Sequence, residues 1–331
     1  MESLIETKVG KGPDSTSSIE ISEPSPLRMD IELTRNCGFK CGICSVRATL
    51  GIPEKEELTL DETKAIISDF ASLSGHELVI TGGEPLERGL DFVNNIIKHA
   101  KHYGLVVKLY TAGYRITNLS TAVALKLSGL DIAYVSLEGT PAEDELYKGV
   151  SGSFETATRA IGFLKAAGVE VIIHFTPISI NFKGIETVVR TASRLGVSRV
   201  KIITFVAQGR GADNRDLYEL TTDQKSEFGR ILSDLMTRDG QVEIEFGGSP
   251  DYPPVASPSC SIGTRGFSIT SAGEVRPCLG LRDDLPNDTF LLGDVRSNRL
   301  REIWLSPLMK ELREGSHSCG LCQSLRRRRG S

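Results

Sequence analysis

Between Met29 and about Val206 the chain repeats one arrangement, a short run of β-forming residues followed by a longer amphipathic stretch. The β-rich runs are MDIELT from Met29, ELVIT from Glu77, LVVKLYT from Leu105, DIAYVSLE from Asp131, VEVIIHFTP from Val169 and RVKIITFV from Arg199. Helical patterns lie between them, among them LDETKAIISDFASL from Leu60 and FETATRAIGFLKAAG from Phe154. The second is preceded by Ser153, expected as its N-cap, and followed by Gly168, expected as its C-cap. Alternation of this kind predicts parallel βαβ units. Six of them predict an α/β fold, a partial (β/α)6 TIM-like barrel.

Read with a period of two, the strands divide into unlike faces. Met29, Ile31 and Leu33 alternate with Asp30, Glu32 and Thr34; Ala133, Val135 and Leu137 alternate with Tyr134, Ser136 and Glu138. In the fifth run Val171, Ile173 and Phe175 alternate with Ile172, His174 and Thr176. Strands covered by helices bury their outer face, so the apolar set is expected outside and the polar set in the lumen. A closed eight-stranded barrel fills its interior with Val, Ile and Leu. A polar lumen predicts a chamber for a polar ligand instead.

After Val206 the loop AQGRGADNRD leads to a helix expected from about Thr222 to Thr237, and the Pro-rich GGSPDYPPVASPS reads as a boundary. Beyond it a hairpin is expected, FSIT from Phe267, a turn at Ser271-Ala272-Gly273, then EVRP, followed by a helix from about Leu300 to Arg313. So short a segment can hardly bury a core of its own, which predicts a metal staple. The expected organisation is a flexible leader over 1–27, the barrel over 28–240 and a small α+β metal-binding domain over 241–331.

Composition narrows the class. Of 331 residues 39% are hydrophobic and 25% charged, with a net charge of −4, so no nucleic acid partner is expected. No run approaches the roughly 20 apolar residues of a membrane span, and residues 1–26 lack the apolar centre of a secretion signal. A cytoplasmic protein is expected, in which thiols stay reduced. Its seven cysteines therefore call for something other than disulfides. Cys37, Cys41 and Cys44 form one group; Cys260, Cys278, Cys319 and Cys322 form the other.

Cys37-Gly-Phe-Lys-Cys41-Gly-Ile-Cys44 places three thiols within eight residues, just past the first strand. Three thiolates wrapped round a cuboidal cluster leave one iron without a protein ligand, open to substrate or cofactor. A single zinc ion competes for the triplet, but no fourth Cys or His lies nearby to close such a site. Thr81-Gly82-Gly83-Glu84-Pro85 follows the second strand. This CxxxCxxC spacing, with a Gly-Gly-Glu-Pro turn one βαβ unit later, strongly resembles the radical S-adenosylmethionine superfamily. The resemblance implies that Gly82, Gly83, Glu84 and Pro85 contact the methionine amino group of the cofactor, with Glu84 as partner for the ammonium. Thr111 and Ser136 end the third and fourth strands where the family binds the cofactor, and Lys148 stands where an arginine is frequent. Two positions depart from the family pattern. Ile43 replaces an aromatic that packs on adenine, and Lys148 cannot make the bidentate grip of an arginine.

Taken alone, the four later cysteines suit a zinc ribbon or a closed cluster site. With LGDVRSNRLREIWLSPLMKELR before the final CxxC, they resemble the shortened SPASM module called a twitch domain, which holds one auxiliary [4Fe-4S] cluster. Their spacing is similar to that of radical dehydrogenases that oxidise an aminocyclitol alcohol. His317, Trp304, Met309, His99 and His102 read as loop or packing residues.

The resemblance implies two [4Fe-4S] clusters and reductive cleavage of S-adenosylmethionine to a 5′-deoxyadenosyl radical. That radical would remove hydrogen from a substrate in the lumen, with the auxiliary cluster in electron transfer and a ferredoxin or flavodoxin as donor. The expected substrate is a peptide or another natural-product precursor, peptide recognition falling to a separate protein. An aminocyclitol-type alcohol dehydrogenase and a haem or molybdopterin biosynthesis enzyme are the alternatives, and a zinc-binding adaptor is the alternative outside catalysis. Strand position offers Glu138, His174, Glu32 and Arg210 as proton-accepting candidates.

Overall fold

The computed structural model describes residues 25–53, 57–238, 242–247, 265–279 and 290–315. The six expected strands are present as β1 (Arg28–Glu32), β2 (Glu77–Thr81), β3 (Val106–Thr111), β4 (Ile132–Ser136), β5 (Glu170–Phe175) and β6 (Arg199–Ile203). The helices between them are α1 (Leu60–Ser72), α2 (Leu90–His102), α3 (Leu119–Ser128), α4 (Pro141–Lys148), α5 (Ser153–Ala166) and α6 (Ile185–Arg194). After β6 come α7 (Arg210–Asp213), α8 (Arg215–Tyr218) and α9 (Thr222–Arg238), then β7 (Glu243–Gly247), β8 (Gly266–Ile269), β9 (Glu274–Arg276) and β10 (Gly293–Asp294). Two short helices, α10 (Leu300–Trp304) and α11 (Pro307–Gly315), follow.

The ten strands of the described residues form one sheet in the order β10-β9-β8-β1-β2-β3-β4-β5-β6-β7. Neighbours from β8 to β7 pair in parallel, while β9 and β10 are antiparallel additions at one edge. The fold is α/β, a partial TIM-like barrel with its parallel core extended beyond six strands. A single sheet crosses the division expected at 240, since β7 joins β6 and β8 joins β1.

Local chemistry explains the helix ends. Thr59 and Glu62 form a capping box on α1, Thr140 and Glu143 do the same for α4, and Asn118 caps α3. Three expectations are corrected. Ala167, not Gly168, is the C-cap of α5, and Gly168 follows it with φ +77°. Gly152, not Ser153, is the N-cap of α5, because the Ser153 hydroxyl donates to buried Asp144 at 2.5 Å. The single helix expected from Leu300 is two, because Pro307 cannot donate to a preceding turn and opens a new helix instead.

Met29, Ile31, Val135, Leu137, Ile173 and Phe175 pack with the helices in one hydrophobic core, together with Trp304 and Met309. Each such fully buried side chain stabilises the fold by about 1.5–3 kcal/mol. Of the alternating polar set, Tyr134, Ser136, Glu138, His174 and Thr176 line one inner cavity. His99 lies between α2 and α1, 2.9 Å from the Ser68 hydroxyl, and His102 lies against Tyr103. His317 lies outside the described residues.

Candidate active site at the carboxyl ends of the strands

The chain leaves β1 at Glu32 and enters the loop carrying the first three cysteines, which is anchored on three sides. Buried Glu57 accepts the Thr34 hydroxyl at 2.6 Å and the Arg35 amide at 3.0 Å, and pairs with Arg88 at 2.9 Å. Arg210 donates through Nε to the Cys41 carbonyl at 2.9 Å and through Nη1 to the Ala48 carbonyl at 2.8 Å. Tyr114 accepts the Gly38 amide at 2.8 Å, donates to Glu87 at 2.8 Å, and lays its ring against Phe39 at 4.7 Å.

The glycine turn after β2 is locked to this loop. Gly83 and Glu84 donate their amides to the carbonyls of Thr34 and Asn36 at 2.7 and 2.9 Å. A Cβ at Gly82, whose φ is +137°, would run into the Thr34 carbonyl oxygen, and one at Gly83 into that of Asn36. Only glycine permits this approach.

Held in this way, the three half-buried thiols line one cavity of about 380 Å³. Gly82, Gly83, Thr111, Ser136, Glu138, Lys148 and His174 line the same cavity. The Phe39 amide donates to Cys37 Sγ at 3.4 Å and the Ala48 amide to Cys44 Sγ at 3.3 Å. Burial pushes the Cys37 thiol up to about 11 and that of Cys41 higher still. Thiolates in so desolvated a loop call for a cationic metal core. Among the described residues no three Cys, His, Asp or Glu side chains gather into a site for a single metal ion. Thiols ranged round a cavity, amides aimed at two sulfurs and a glycine turn opposite fit an iron–sulfur cluster held by Cys37, Cys41 and Cys44.

Several of the candidate side chains line this cavity or its rim. Ile43 lines the cavity, beside a small apolar cluster of Tyr147, Ile178 and Phe205. Ser136 lies at the rim and donates to Glu138 at 2.6 Å. Buried Lys148 pairs with Asp144 at 2.8 Å and donates to the Ser136 carbonyl at 2.9 Å. Glu138 is also buried; desolvation pushes its carboxyl up to about 7 against the opposing pull of Lys148. His174 faces the cavity, and burial followed by the nearby Lys201 charge lowers its imidazole to about 3. It is therefore neutral at physiological pH.

Three residues take other roles. Glu84 is fully buried; its carboxylate accepts the Thr111 hydroxyl at 2.8 Å, the Ala112 amide at 2.9 Å and the Leu86 amide at 3.3 Å. It braces the turn, with Pro85 opening a 3-10 turn beside it, and the glycine backbone is what faces the cavity. Glu32 is occupied by Ser271, whose amide and hydroxyl donate to it at 3.1 and 2.8 Å. It joins β1 to the β8–β9 turn and is not on the cavity wall. Arg210 braces the cysteine loop, and a guanidinium accepts no proton. Tyr114, Tyr147 and the Glu57–Arg88 pair escaped the sequence reading; only their tertiary partners reveal them. Cys278 lies at the hairpin's end and its neighbour Leu279 lines the cavity. Cys260, Cys319 and Cys322 lie outside the described residues.

Comparison with known proteins agrees with this geometry. The model of the radical SAM superfamily matches residues 31–192, and that of SPASM, an iron-sulfur cluster-binding domain, matches residues 260–324. The AdoMet-dependent heme synthase of Nitratidesulfovibrio vulgaris is 28% identical, over 92% of this chain and 87% of its own length. The PqqA peptide cyclase of Rhizobium meliloti is 27% identical, over 84% of this chain and 73% of its own. Among solved structures, SuiB of Streptococcus suis bound to S-adenosylmethionine superposes with a TM-score of 0.67 at 16% identity, covering 87% of this chain and 68% of that one. Among the described residues no helix is long and apolar enough to cross a membrane. The chain is an enzyme of the radical S-adenosylmethionine superfamily, with a C-terminal SPASM domain and the iron–sulfur and S-adenosylmethionine binding that these imply.

Proposed function

We propose that this enzyme modifies a peptide or another natural-product precursor by hydrogen abstraction, using a catalytic cluster on Cys37, Cys41 and Cys44 and a second on Cys260, Cys278, Cys319 and Cys322. The observation that carries the proposal is the sharing of one cavity by the three thiols, the Gly82-Gly83 turn and the polar strand ends. When bound, the reduced cluster with S-adenosylmethionine supplies a 5′-deoxyadenosyl radical.

The chain's own residues position the reactants. Gly82 and Gly83 would present backbone to the methionine end of the cofactor, Lys148 would contribute positive charge for its carboxylate, and Ile43 would offer apolar surface to the adenine. Thr111 and Ser136 line the space between. His174 is on the cavity wall, but an imidazole lowered to about 3 would not hold a substrate's proton, so it would serve as a neutral hydrogen-bond partner there. Glu138, whose oxygens already accept Ser136 and the Thr176 amide, orders the rim. The second cluster would exchange an electron with the substrate, and a ferredoxin or flavodoxin would reduce the first. A separate protein would present a peptide substrate.

The likeness to a heme synthase supports a second reading, cofactor biosynthesis on a small molecule. Deuterium transfer separates the two. Anaerobic enzyme with S-adenosylmethionine and dithionite is given deuterated candidate precursors, and 5′-deoxyadenosine is analysed by mass spectrometry. Label from a precursor peptide supports the first reading; label from a tetrapyrrole alone replaces it with the second.

A further inference from the structure

The turn that follows Cys44 is held in an uncommon backbone conformation. Arg47 has a φ of +50°, and among the described residues only Ser74 shares a positive φ without being a glycine. A left-handed arginine brings its Cβ close to the following carbonyl oxygen, and such a residue persists only where its surroundings over-determine it. The constraint here comes from α7. Asp213 takes the Arg47 guanidinium with both oxygens, at 2.5 and 3.0 Å. The two side chains are 39% and 55% exposed, so a single contact between them would be weak. Two parallel bonds fix direction as well as distance.

The consequence lies one residue further on. The Arg47 amide closes a turn on the Cys44 carbonyl at 3.4 Å, and the Ala48 amide then donates to Cys44 Sγ at 3.3 Å. On the other side of the turn, the Arg210 amide donates to the same Cys44 carbonyl at 3.0 Å. Gly209 packs so closely there that a Cβ would lie 2.5 and 2.4 Å from the Cys44 and Ser45 carbonyl oxygens. Val46 and Ala48 line the cysteine cavity, whereas neither Arg47 nor Asp213 does. An N–H aimed at a sulfur stabilises added negative charge, which is one of the levers on a cluster's reduction potential.

We infer that Arg47 and Asp213 are a positioning pair. The ion pair holds the left-handed turn, the turn aims the Ala48 amide at Cys44 Sγ, and that amide raises the reduction potential of a cluster on Cys37, Cys41 and Cys44. This rests on the reading above, that these cysteines hold a cluster. The backbone carries the effect rather than the guanidinium's charge, so two substitutions that remove the same charge are expected to differ. Glycine takes the left-handed conformation freely. Alanine, with nothing to offer Asp213, does not.

The test is a potentiometric titration of the anaerobic holoenzyme, followed by electron paramagnetic resonance. The signal used is the one that disappears in the triple variant Cys37→Ala, Cys41→Ala, Cys44→Ala. Arg47→Ala is expected to disfavour the reduced form at least about fivefold relative to Arg47→Gly, about 41 mV for one electron. Asp213→Ala is expected to move the wild-type potential in the same direction at least about twofold, about 18 mV, and to add nothing to Arg47→Gly. Equal potentials in Arg47→Ala and Arg47→Gly overturn the inference, as does an Asp213→Ala shift that persists beside Arg47→Gly. Should Arg47→Ala load no iron, the Asp213→Ala comparison decides alone. Cofactor cleavage, measured in the same samples, reports separately on the underlying reading. Cleavage with equal potentials overturns the positioning pair alone; shifted potentials without cleavage support the pair and overturn the radical function. A wild type without that signal overturns both.

Discussion

Both carboxylate oxygens of Glu84 lie 2.8 Å from the Thr111 hydroxyl, joining the turn after β2 to the end of β3 through a bond with no exposure to solvent. The Ala112 amide donates to the same carboxylate at 2.9 Å, so one side chain aligns two strand ends under the cysteine-lined cavity. Glu84→Ala leaves the buried Thr111 hydroxyl without its acceptor, which costs about 1–3 kcal/mol, and frees the half-buried Ala112 amide at a smaller cost. The expected result is a lower urea midpoint and weaker S-adenosylmethionine binding by equilibrium dialysis. Unchanged values for both would show that the turn holds its shape without Glu84.

Gly82 admits no side chain. Gly82→Ala is expected to separate the turn from the cysteine loop, because its Cβ has no room beside the Thr34 carbonyl and its φ is +137°. Loss of S-adenosylmethionine binding with iron content retained is the expected outcome, read by dialysis and by iron analysis.

Arg210 joins α7 to the cysteine loop by two charge-assisted bonds. Removing them in Arg210→Ala is expected to cost the loop about 2–4 kcal/mol. Iron should then be lost faster to a chelator than from wild type, while Arg210→Lys recovers only part of the difference, since an ammonium cannot span both carbonyls.

The pH dependence of stability follows from two buried acids. Desolvation pushes Glu84 and Glu138 up to about 7 each from the ordinary 4.5. A carboxyl raised in this way binds its proton more tightly in the folded chain. Its contribution is complete below about pH 4.5 and is lost as the pH rises through about 7. The urea midpoint is expected to fall from about pH 5 to about pH 8, and Glu138→Gln, neutral throughout, to flatten that fall. An identical slope in the variant would mean that Glu138 stays ionised across the range.

What the sequence shows and what it hides follow from the range of each signal. The six strands and the inward polar set are legible because a period of two is written into each run, and the cysteine triplet is legible because its spacing is local. The parallel pairing of β8 with β1 joins Arg28 to Gly266, far apart in the chain, and no local pattern announces it. The same range limit explains Glu32 and Arg210. Both occupy positions compatible with the lumen, but their side chains are claimed by Ser271 and by the Cys41 and Ala48 carbonyls. Ser153 looks like an ordinary cap until Asp144 is found beside it.

Iron and sulfide content after anaerobic reconstitution, measured with dithionite-driven 5′-deoxyadenosine formation, bears most directly on the proposed division into two clusters. Wild type is compared with the triple variant Cys37→Ala, Cys41→Ala, Cys44→Ala. About eight irons in the wild type, about four in the variant, and cofactor cleavage in the wild type alone are the expected result. Zinc in place of iron, or full clusters without cleavage, would contradict it.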